Sequence, residues 1–76
     1  MIRFSDIKTV LEGGVVNITF QSLVSGEERV AKCTLNPTYF SHKIKQSESD
    51  SILVYRLDKN KWDDIKLNTI LKYEVA

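Results

Sequence analysis

The chain has 76 residues, a net charge of +1 from 11 basic and 10 acidic side chains, and a single cysteine, Cys33. A chain this short hides only about 60% of its unfolded surface, so residues 1–76 are expected to form one small domain with little stability to spare. Association buries more surface, and we therefore expect a homodimer. Cys33 cannot form an intramolecular disulfide, and no apolar stretch has the length of a signal peptide or a membrane span, so we expect a cytoplasmic protein without a membrane partner.

The charges are spread evenly along the chain. Residues 1–38 hold four basic and four acidic side chains, and residues 39–76 hold seven basic and six acidic ones. A protein that binds nucleic acid through its phosphates usually carries a clear basic excess. The balance disfavours nucleic acid as the partner, although a local basic patch would still be compatible with it.

A short helix is predicted over about residues 5–12. Ser5 suits the N-cap position, and Gly13 suits the left-handed position after the last turn. The apolar residues recur at the helical spacing i, i+3 and i+4: Ile7, Val10 and Leu11. Two turns of helix are not stable alone, so this face is expected to pack against the rest of the domain.

Two alternating runs follow, at residues 15–21 and 28–35, and each has the pattern of a half-buried strand. The turn at Ser25-Gly26-Glu27 joins them into a predicted hairpin. The predicted inward residues are Val16, Ile18 and Phe20 on the first strand and Ala31, Cys33 and Leu35 on the second. Pro37 ends the second strand, because proline has no amide hydrogen for a strand ladder.

Residues 38–50 have the polar composition of a mobile loop. A loop of this length is unusual in so small a domain, and such loops are often functional. Its aromatic residues, Tyr39 and Phe40, are therefore candidates for partner binding. His42, the only histidine, is expected to be a solvated residue of this loop.

Three more strands are predicted over residues 52–57, 62–67 and 70–75, with a turn at 58–61 and a tight connection at 68–69. No crossover helix separates any two of them, so antiparallel pairing is expected throughout. The sequence thus predicts a mainly β fold, with five short strands in a small, strongly bent barrel and one short N-terminal helix.

The sequence offers no catalytic combination of residues. Cys33 is predicted to face inward, where a thiol packs as a small apolar group with a raised pKa. No set of cysteine, histidine and carboxylate side chains has metal-ligand spacing, and the Gly13-Gly14 pair indicates a helix end rather than a phosphate-binding loop. We therefore expect a protein that is not an enzyme and that uses no metal or cofactor.

Four segments, taken in chain order, resemble a phage-encoded branch of the WYL family. They are Gly-Val-Val at 14–16, Ile-Thr-Phe at 18–20, Cys-Thr-Leu-Asn-Pro at 33–37, and Val-Tyr-Arg-Leu-Asp-Lys-Asn-Lys-Trp at 54–62. The resemblance covers most of the chain outside the 38–50 loop. It implies an Sm-like barrel of the SH3-like class, a bacteriophage origin, and a role in binding rather than catalysis.

The resemblance also implies where a ligand would bind. In larger WYL proteins the tryptophan is typically followed by an arginine that faces the ligand, often an oligonucleotide. Here Asp63 and Asp64 follow Trp62, and a carboxylate repels the phosphate that a guanidinium would bind. Strand alternation places the two aspartates on opposite faces. Together with the turn residue Asp58, they are expected to be solvated or paired with nearby lysines: Lys59, Lys61 or Lys66.

The preferred hypothesis is a phage accessory protein that binds a host protein, either for host takeover or to block a defence system. Its candidate partner-binding residues are Trp62, Asp63, Asp64, Tyr55, Tyr39 and Phe40. The alternative is an Sm-like nucleic-acid-binding regulatory module, in which tyrosines stack on bases. Its candidate residues are Lys43, Lys45, Lys59 and Lys61.

Overall fold

The computed structural model describes residues 2–41 and 45–76. Its elements, in chain order, are helix α1 (Phe4–Glu12), strands β1 (Val15–Gln21) and β2 (Glu28–Thr34), a 3₁₀ turn (Pro37–Tyr39), strands β3 (Ser51–Arg56) and β4 (Lys61–Lys66), a second 3₁₀ turn (Leu67–Thr69) and strand β5 (Ile70–Val75). The strands form one antiparallel sheet in the order β4-β3-β2-β1-β5. The predicted mainly β, five-stranded small barrel with one N-terminal helix is confirmed.

The ends of helix α1 differ from the prediction. The helix begins at Phe4 with Arg3 as its N-cap, so Ser5 lies inside the helix, where its carbonyl accepts a 2.8 Å hydrogen bond from Thr9 Oγ1. Phe4 is buried, and the free energy of burying a phenylalanine exceeds the roughly 1 kcal/mol that a serine cap contributes. Gly13 keeps a right-handed φ of −77° and donates to the last-turn carbonyls, so the predicted left-handed position was also wrong.

The first hairpin follows the predicted pattern. Strands β1 and β2 pair along seven residues, and the turn between them contains Gly26 at φ 74°, a backbone conformation that residues other than glycine rarely adopt. The predicted inward residues of both strands are buried or packed against the core: Val16, Ile18, Ala31 and Cys33 are fully buried, and Phe20 and Leu35 are partly buried. The period-2 alternation therefore identified the inner face correctly.

Strands β2 and β3 share only a short contact. Strand β3 pairs with β4 along six residues but with β2 at only two positions, Cys33↔Arg56 and Thr34↔Tyr55. Helix α1 contributes its apolar face to the enclosed core, with Ile7 and Leu11 fully buried. The described part of the chain contains no helix that is long and apolar enough to cross a membrane.

Hydrogen bonds fasten the end of α1 to the end of β2. The buried Thr34 hydroxyl donates to the Gly14 carbonyl at 2.7 Å and accepts from the Asn36 amide at 3.0 Å. The Leu35 amide donates to the Leu11 carbonyl at 3.0 Å, and the Asn36 side chain caps the following 3₁₀ turn through the amide of Thr38. These bonds fix the direction in which the chain leaves β2, and so they place Phe40 beside the β3–β4 hairpin.

The long loop is only partly described. Its first residues form the 3₁₀ turn, and residues 45–50 have no helix or strand. The prediction for His42 and the candidate residue Lys43 fall outside the described residues.

Candidate functional site

The β3–β4 hairpin presents two chemically different faces. On its outer face, Tyr55 lies directly opposite Trp62, and Leu53 lies opposite Asp64. The pair Ser51↔Lys66 also belongs to the outer face, and the remaining three pairs form the inner face: Ile52↔Ile65, Val54↔Asp63 and Arg56↔Lys61. Asp63 and Asp64 therefore lie on opposite faces, as strand alternation predicts, and they do not form one acidic patch.

Three aromatic rings meet on the outer face, and we call Phe40, Tyr55 and Trp62 the aromatic cluster. The ring centroids lie 4.8 Å apart for Phe40 and Trp62, 5.5 Å for Tyr55 and Trp62, and 5.8 Å for Phe40 and Tyr55. The two contacts made by Trp62 are edge-to-face, the geometry that the ring quadrupoles favour. All three side chains are only half-buried. Trp62 and Tyr55 are thus packed against their neighbours and still accessible.

A groove of about 300 Å³ adjoins the aromatic cluster. Besides Phe40 and Trp62, its lining residues are Lys8, Glu12, Leu35, Pro37 and Gln46. The two charged residues come from helix α1 and pair with each other, with Lys8 Nζ 3.1 Å from Glu12 Oε2. This volume is at the lower limit for small-molecule sites. The groove is therefore suited to receive one or two apolar side chains of a partner.

Gln46 connects the long loop to strand β3. Its side-chain amide accepts a hydrogen bond from the Leu53 amide and donates one to the Leu53 carbonyl. This part of β3 has no pairing with β2, because the two strands share only the pairs nearest Arg56. The Gln46 side chain thus replaces a missing strand neighbour and holds the loop against this edge of β3. Sequence reasoning missed this role, since no local pattern connects a loop glutamine to a strand seven residues away.

A second polar arrangement, the Arg56 centre, consists of Arg56, Asp58 and Asp63 at the inner face. Arg56 donates to both oxygens of Asp58, from Nε at 3.2 Å and from Nη2 at 2.9 Å, and to Asp63 from Nη1 at 3.0 Å. The Arg56 side chain is only 9% exposed, against 33% and 38% for the two aspartates. The hydrogen bond from Arg56 lowers the pKa of Asp58, and the same bond is the main reason that the pKa of Arg56 is raised.

The Arg56 centre corrects the predicted lysine pairings of Asp58 and Asp63. Arg56 shares the inner face with Ile52 and Val54, so its guanidinium enters the domain and requires carboxylate partners there. The sequence carried a signal for this, because Arg56 continues the i, i+2, i+4 series of inward residues on β3. Asp64 is exposed on the outer face.

Cys33 lies directly opposite Arg56 and is fully buried. Burial raises the pKa of the Cys33 thiol to about 12, so the thiol stays protonated at neutral pH and is a poor nucleophile. The predictions of an inward position and a raised pKa are confirmed. Among residues 2–41 and 45–76, no three histidine, cysteine or carboxylate side chains are grouped so that they could hold a metal ion.

The other candidate residues are spread over the hairpin. Tyr39 is exposed in the first 3₁₀ turn, and its ring lies outside the aromatic cluster. Lys59 and Lys61 are at the turn between β3 and β4, whereas Lys45 adjoins Leu53, nearer the opposite end of the hairpin. The described candidate lysines therefore lie at two different ends of the hairpin and do not form a single patch.

Comparisons of this chain with protein-family models, with curated proteins and with solved structures found no match. The geometry of the hairpin is therefore the basis on which a function can be inferred. One face of the hairpin carries polar groups that bind one another, and the other carries large aromatic side chains that remain accessible.

Proposed function

We propose that this protein is a non-catalytic binding module that attaches to a protein partner through the aromatic cluster and its groove. The observation that carries the proposal is the mutual contact of three large rings that stay half-exposed on the outer face. Tryptophan and tyrosine in such settings are the residues that most often anchor protein interfaces. The resemblance to phage WYL-like proteins supports a phage origin and a host protein as the target, for host takeover or counter-defence.

The groove geometry supports a partner that inserts an apolar anchor. Leu35 and Pro37 supply apolar walls beside Phe40 and Trp62, and the groove is open on one side. The Lys8–Glu12 ion pair at its margin is internally neutral. An apolar side chain of the partner can therefore displace water from the groove without facing an uncompensated charge.

Charge on the outer face supports a basic residue next to that anchor. Asp64 is exposed on the face that carries Trp62, whereas the Asp63 carboxylate is engaged by Arg56 on the other face. A positive group on the partner would complement Asp64 and would accelerate association more than it strengthens final affinity. In this proposal Asp64 contacts the partner, and Asp63 positions the strand.

The test is capture of a partner by the tagged chain from nuclease-treated lysate, with Trp62→Ala as the main variant. We expect wild type to retain one stoichiometric protein and Trp62→Ala to retain at least about tenfold less, the effect of losing an interface anchor. Val30→Ala is the matched control, since Val30 is an exposed apolar residue on strand β2 outside the cluster. Equal capture by a folded Trp62→Ala variant would overturn the proposal.

A second function is supported by the same rings, which could stack on nucleobases with Lys59 and Lys61 near the backbone phosphates. This alternative, a nucleic-acid-binding regulatory module, predicts oligonucleotide binding that weakens steeply with salt and is lost in Tyr55→Ala. Two observations oppose it: Asp64 is exposed on the same face as the rings, and Lys61 belongs to an inner-face pair. Absence of a retarded oligonucleotide at low salt and micromolar protein would eliminate it.

A further inference from the structure

Strand β5 ends the sheet, and its outer edge has no strand neighbour in the described part of the chain. On its other side it pairs with β1 in the register Asn17↔Glu74, and the Ala76 amide donates to the Val15 carbonyl at 2.9 Å. Peptide groups alternate in direction along an antiparallel strand. Since residues 74 and 76 direct theirs toward β1, Tyr73 and Val75 direct their N–H and C=O groups toward the open edge.

The two edges of the sheet are protected differently. The exposed residues of β4, at the opposite edge, are all charged: Lys61, Asp64 and Lys66. Charges on an edge strand discourage pairing with another chain. Strand β5 exposes two apolar side chains, with Val75 73% and Leu71 50% exposed, beside one basic and one acidic residue. An edge strand with open peptide groups and exposed apolar side chains is a surface that a further strand of matching charge can cover.

The sequence of β5 is complementary to itself when reversed. In Leu71-Lys72-Tyr73-Glu74-Val75, apolar residues flank a basic and an acidic residue, which in turn flank a central tyrosine. Lys72 and Glu74 lie on one face, with Nζ 3.8 Å from Oε1, and both are largely exposed. An antiparallel copy centred on Tyr73 would place Lys72 opposite Glu74 of that copy, Glu74 opposite its Lys72, and Leu71 opposite its Val75.

We propose that the outer edge of β5 binds β5 of a second copy of this chain, antiparallel, with Tyr73 at the two-fold axis. The Tyr73 amide of each copy donates to the Tyr73 carbonyl of the other, because the outward peptide groups at residue 73 face each other in this register. Two Lys72–Glu74 pairs and two Leu71–Val75 contacts flank these bonds. The result is one continuous ten-stranded sheet.

This dimer would carry two partner-binding faces. None of the aromatic-cluster residues belongs to β5, so pairing through the β5 edge does not use them. Two linked sites bind a repeated or dimeric target with an affinity above that of one site. The dimer itself does not depend on the proposed function, since it is measured without any partner.

The test is sedimentation of the full chain over a concentration series from about 1 µM to about 500 µM, a range that brackets the weak dimer expected from a small interface. Lys72→Glu and Glu74→Lys each place like charges opposite one another twice per dimer. We expect each variant alone to dissociate at least about tenfold more readily than wild type. An equimolar mixture of the two variants restores opposite charges at both positions, so the mixture is expected to dimerise as wild type does.

Lys66→Glu on the β4 edge is the matched control and is expected to leave the dimer unchanged. A wild-type chain that stays monomeric throughout would overturn the proposal, as would a mixture that fails to restore the dimer. Weakening by Lys66→Glu equal to that by Lys72→Glu would also overturn it, because the interface would then include β4. Tyr73→Cys is a second measurement: Cα atoms about 5.5 Å apart across the axis permit a disulfide. A covalent dimer should form, and its absence in a folded variant contradicts the register.

Discussion

The two faces of the β3–β4 hairpin differ in chemistry although their residues are adjacent in sequence. On the inner face, Arg56 is nearly buried, and three of its N–H groups are bound by Asp58 and Asp63. On the outer face, Tyr55 and Trp62 contact each other and Phe40 but remain half-exposed. Charge is therefore compensated inside the domain, and apolar surface is left accessible outside it.

This difference separates stability from binding within one hairpin. Most residues of the inner face are buried, with Lys61 near the turn as the exposed exception, so changes at the buried positions should alter folding. Residues of the outer face have part of their surface available to a partner, so changes there should alter binding more than folding. The comparison can be tested with substitutions at neighbouring positions, since consecutive residues of a strand lie on opposite faces.

The largest expected effect is from Ile52→Ala on the inner face, compared with Leu53→Ala on the outer one. Ile52 is fully buried opposite Ile65, so its truncation leaves a cavity and should lower the free energy of unfolding by about 3 kcal/mol. Leu53 is half-buried, and its truncation should cost about 1 kcal/mol or less. Urea unfolding of both variants measures the difference. Equal losses would show that the hairpin does not have one structural and one accessible face.

The second effect is from Arg56→Met, which keeps the apolar stem and removes the guanidinium. It leaves Asp58 and Asp63 facing each other without a cation, and the free energy of unfolding should fall by about 2 kcal/mol. This is below the usual cost for a buried pair, because both carboxylates reach solvent. Lys61→Met, at the exposed position opposite Arg56, is the control and should change stability by less than about 0.5 kcal/mol.

A combined variant distinguishes two causes of the lost stability: loss of the attraction to Arg56, and repulsion between the two carboxylates that remain unpaired. Adding Asp58→Asn and Asp63→Asn to Arg56→Met removes the unpaired carboxylates, so part of the lost stability should return. If the triple variant loses as much stability as the sum of the losses in Arg56→Met, Asp58→Asn and Asp63→Asn, the three side chains are not coupled. That result would contradict the electrostatic explanation and would indicate that packing of the guanidinium is the stabilising contribution.

The sequence predicted the sheet better than the site. Alternation in strands and the turn chemistry at Gly26 depend on neighbours along the chain, and both lead directly to β1, β2 and the inward positions of Ala31 and Cys33. The helix start was displaced by one residue because burial of Phe4 is a tertiary effect. Local rules therefore located the elements and left their exact ends to packing.

The site depends on contacts between distant segments. Tyr55 and Trp62 were each recognised as candidates, but their pairing requires the register of β3 with β4. Phe40 joins them only because the Thr34 and Asn36 hydrogen bonds direct the loop across the hairpin. The sequence predicted the turn one residue too late, which shifts the register, and the loop direction depends on hydrogen bonds between distant segments. The residues of the aromatic cluster could therefore be predicted, but their arrangement could not.

Gln46→Ala should produce a smaller effect that links the two regions. It removes both hydrogen bonds to Leu53 and should lower the free energy of unfolding by about 1 kcal/mol. Because Gln46 also lines the groove beside Trp62, loosening the loop should weaken partner capture more than stability. Gln46→Glu is the matched control: it can still accept from the Leu53 amide but cannot donate to the carbonyl, so an intermediate loss is expected. If neither variant changes stability or partner capture, Gln46 does not hold the loop against β3.

The smallest expected effect is a change in how stability depends on pH. The pKa of Asp58 is lowered in the folded protein, chiefly by the hydrogen bond from Arg56, relative to about 3.9 in an unfolded chain. A lowered folded pKa stabilises the protein above the unfolded value, and this stabilisation is lost as the pH falls through the folded pKa. Stability should therefore decline below about pH 4, and the decline should be shallower in Asp58→Asn.

Urea unfolding at a series of pH values between about 7 and 3 measures these slopes. Arg56→Met provides the matched comparison, because removing the cation removes the cause of the lowered pKa while leaving the carboxylate in place. Both variants should show a shallower acid decline than wild type if the Arg56–Asp58 bond is its origin. If the free energy of unfolding depends on pH in both variants as it does in wild type, the inner face contributes no acid-sensitive stabilisation. The two faces would then differ in packing alone.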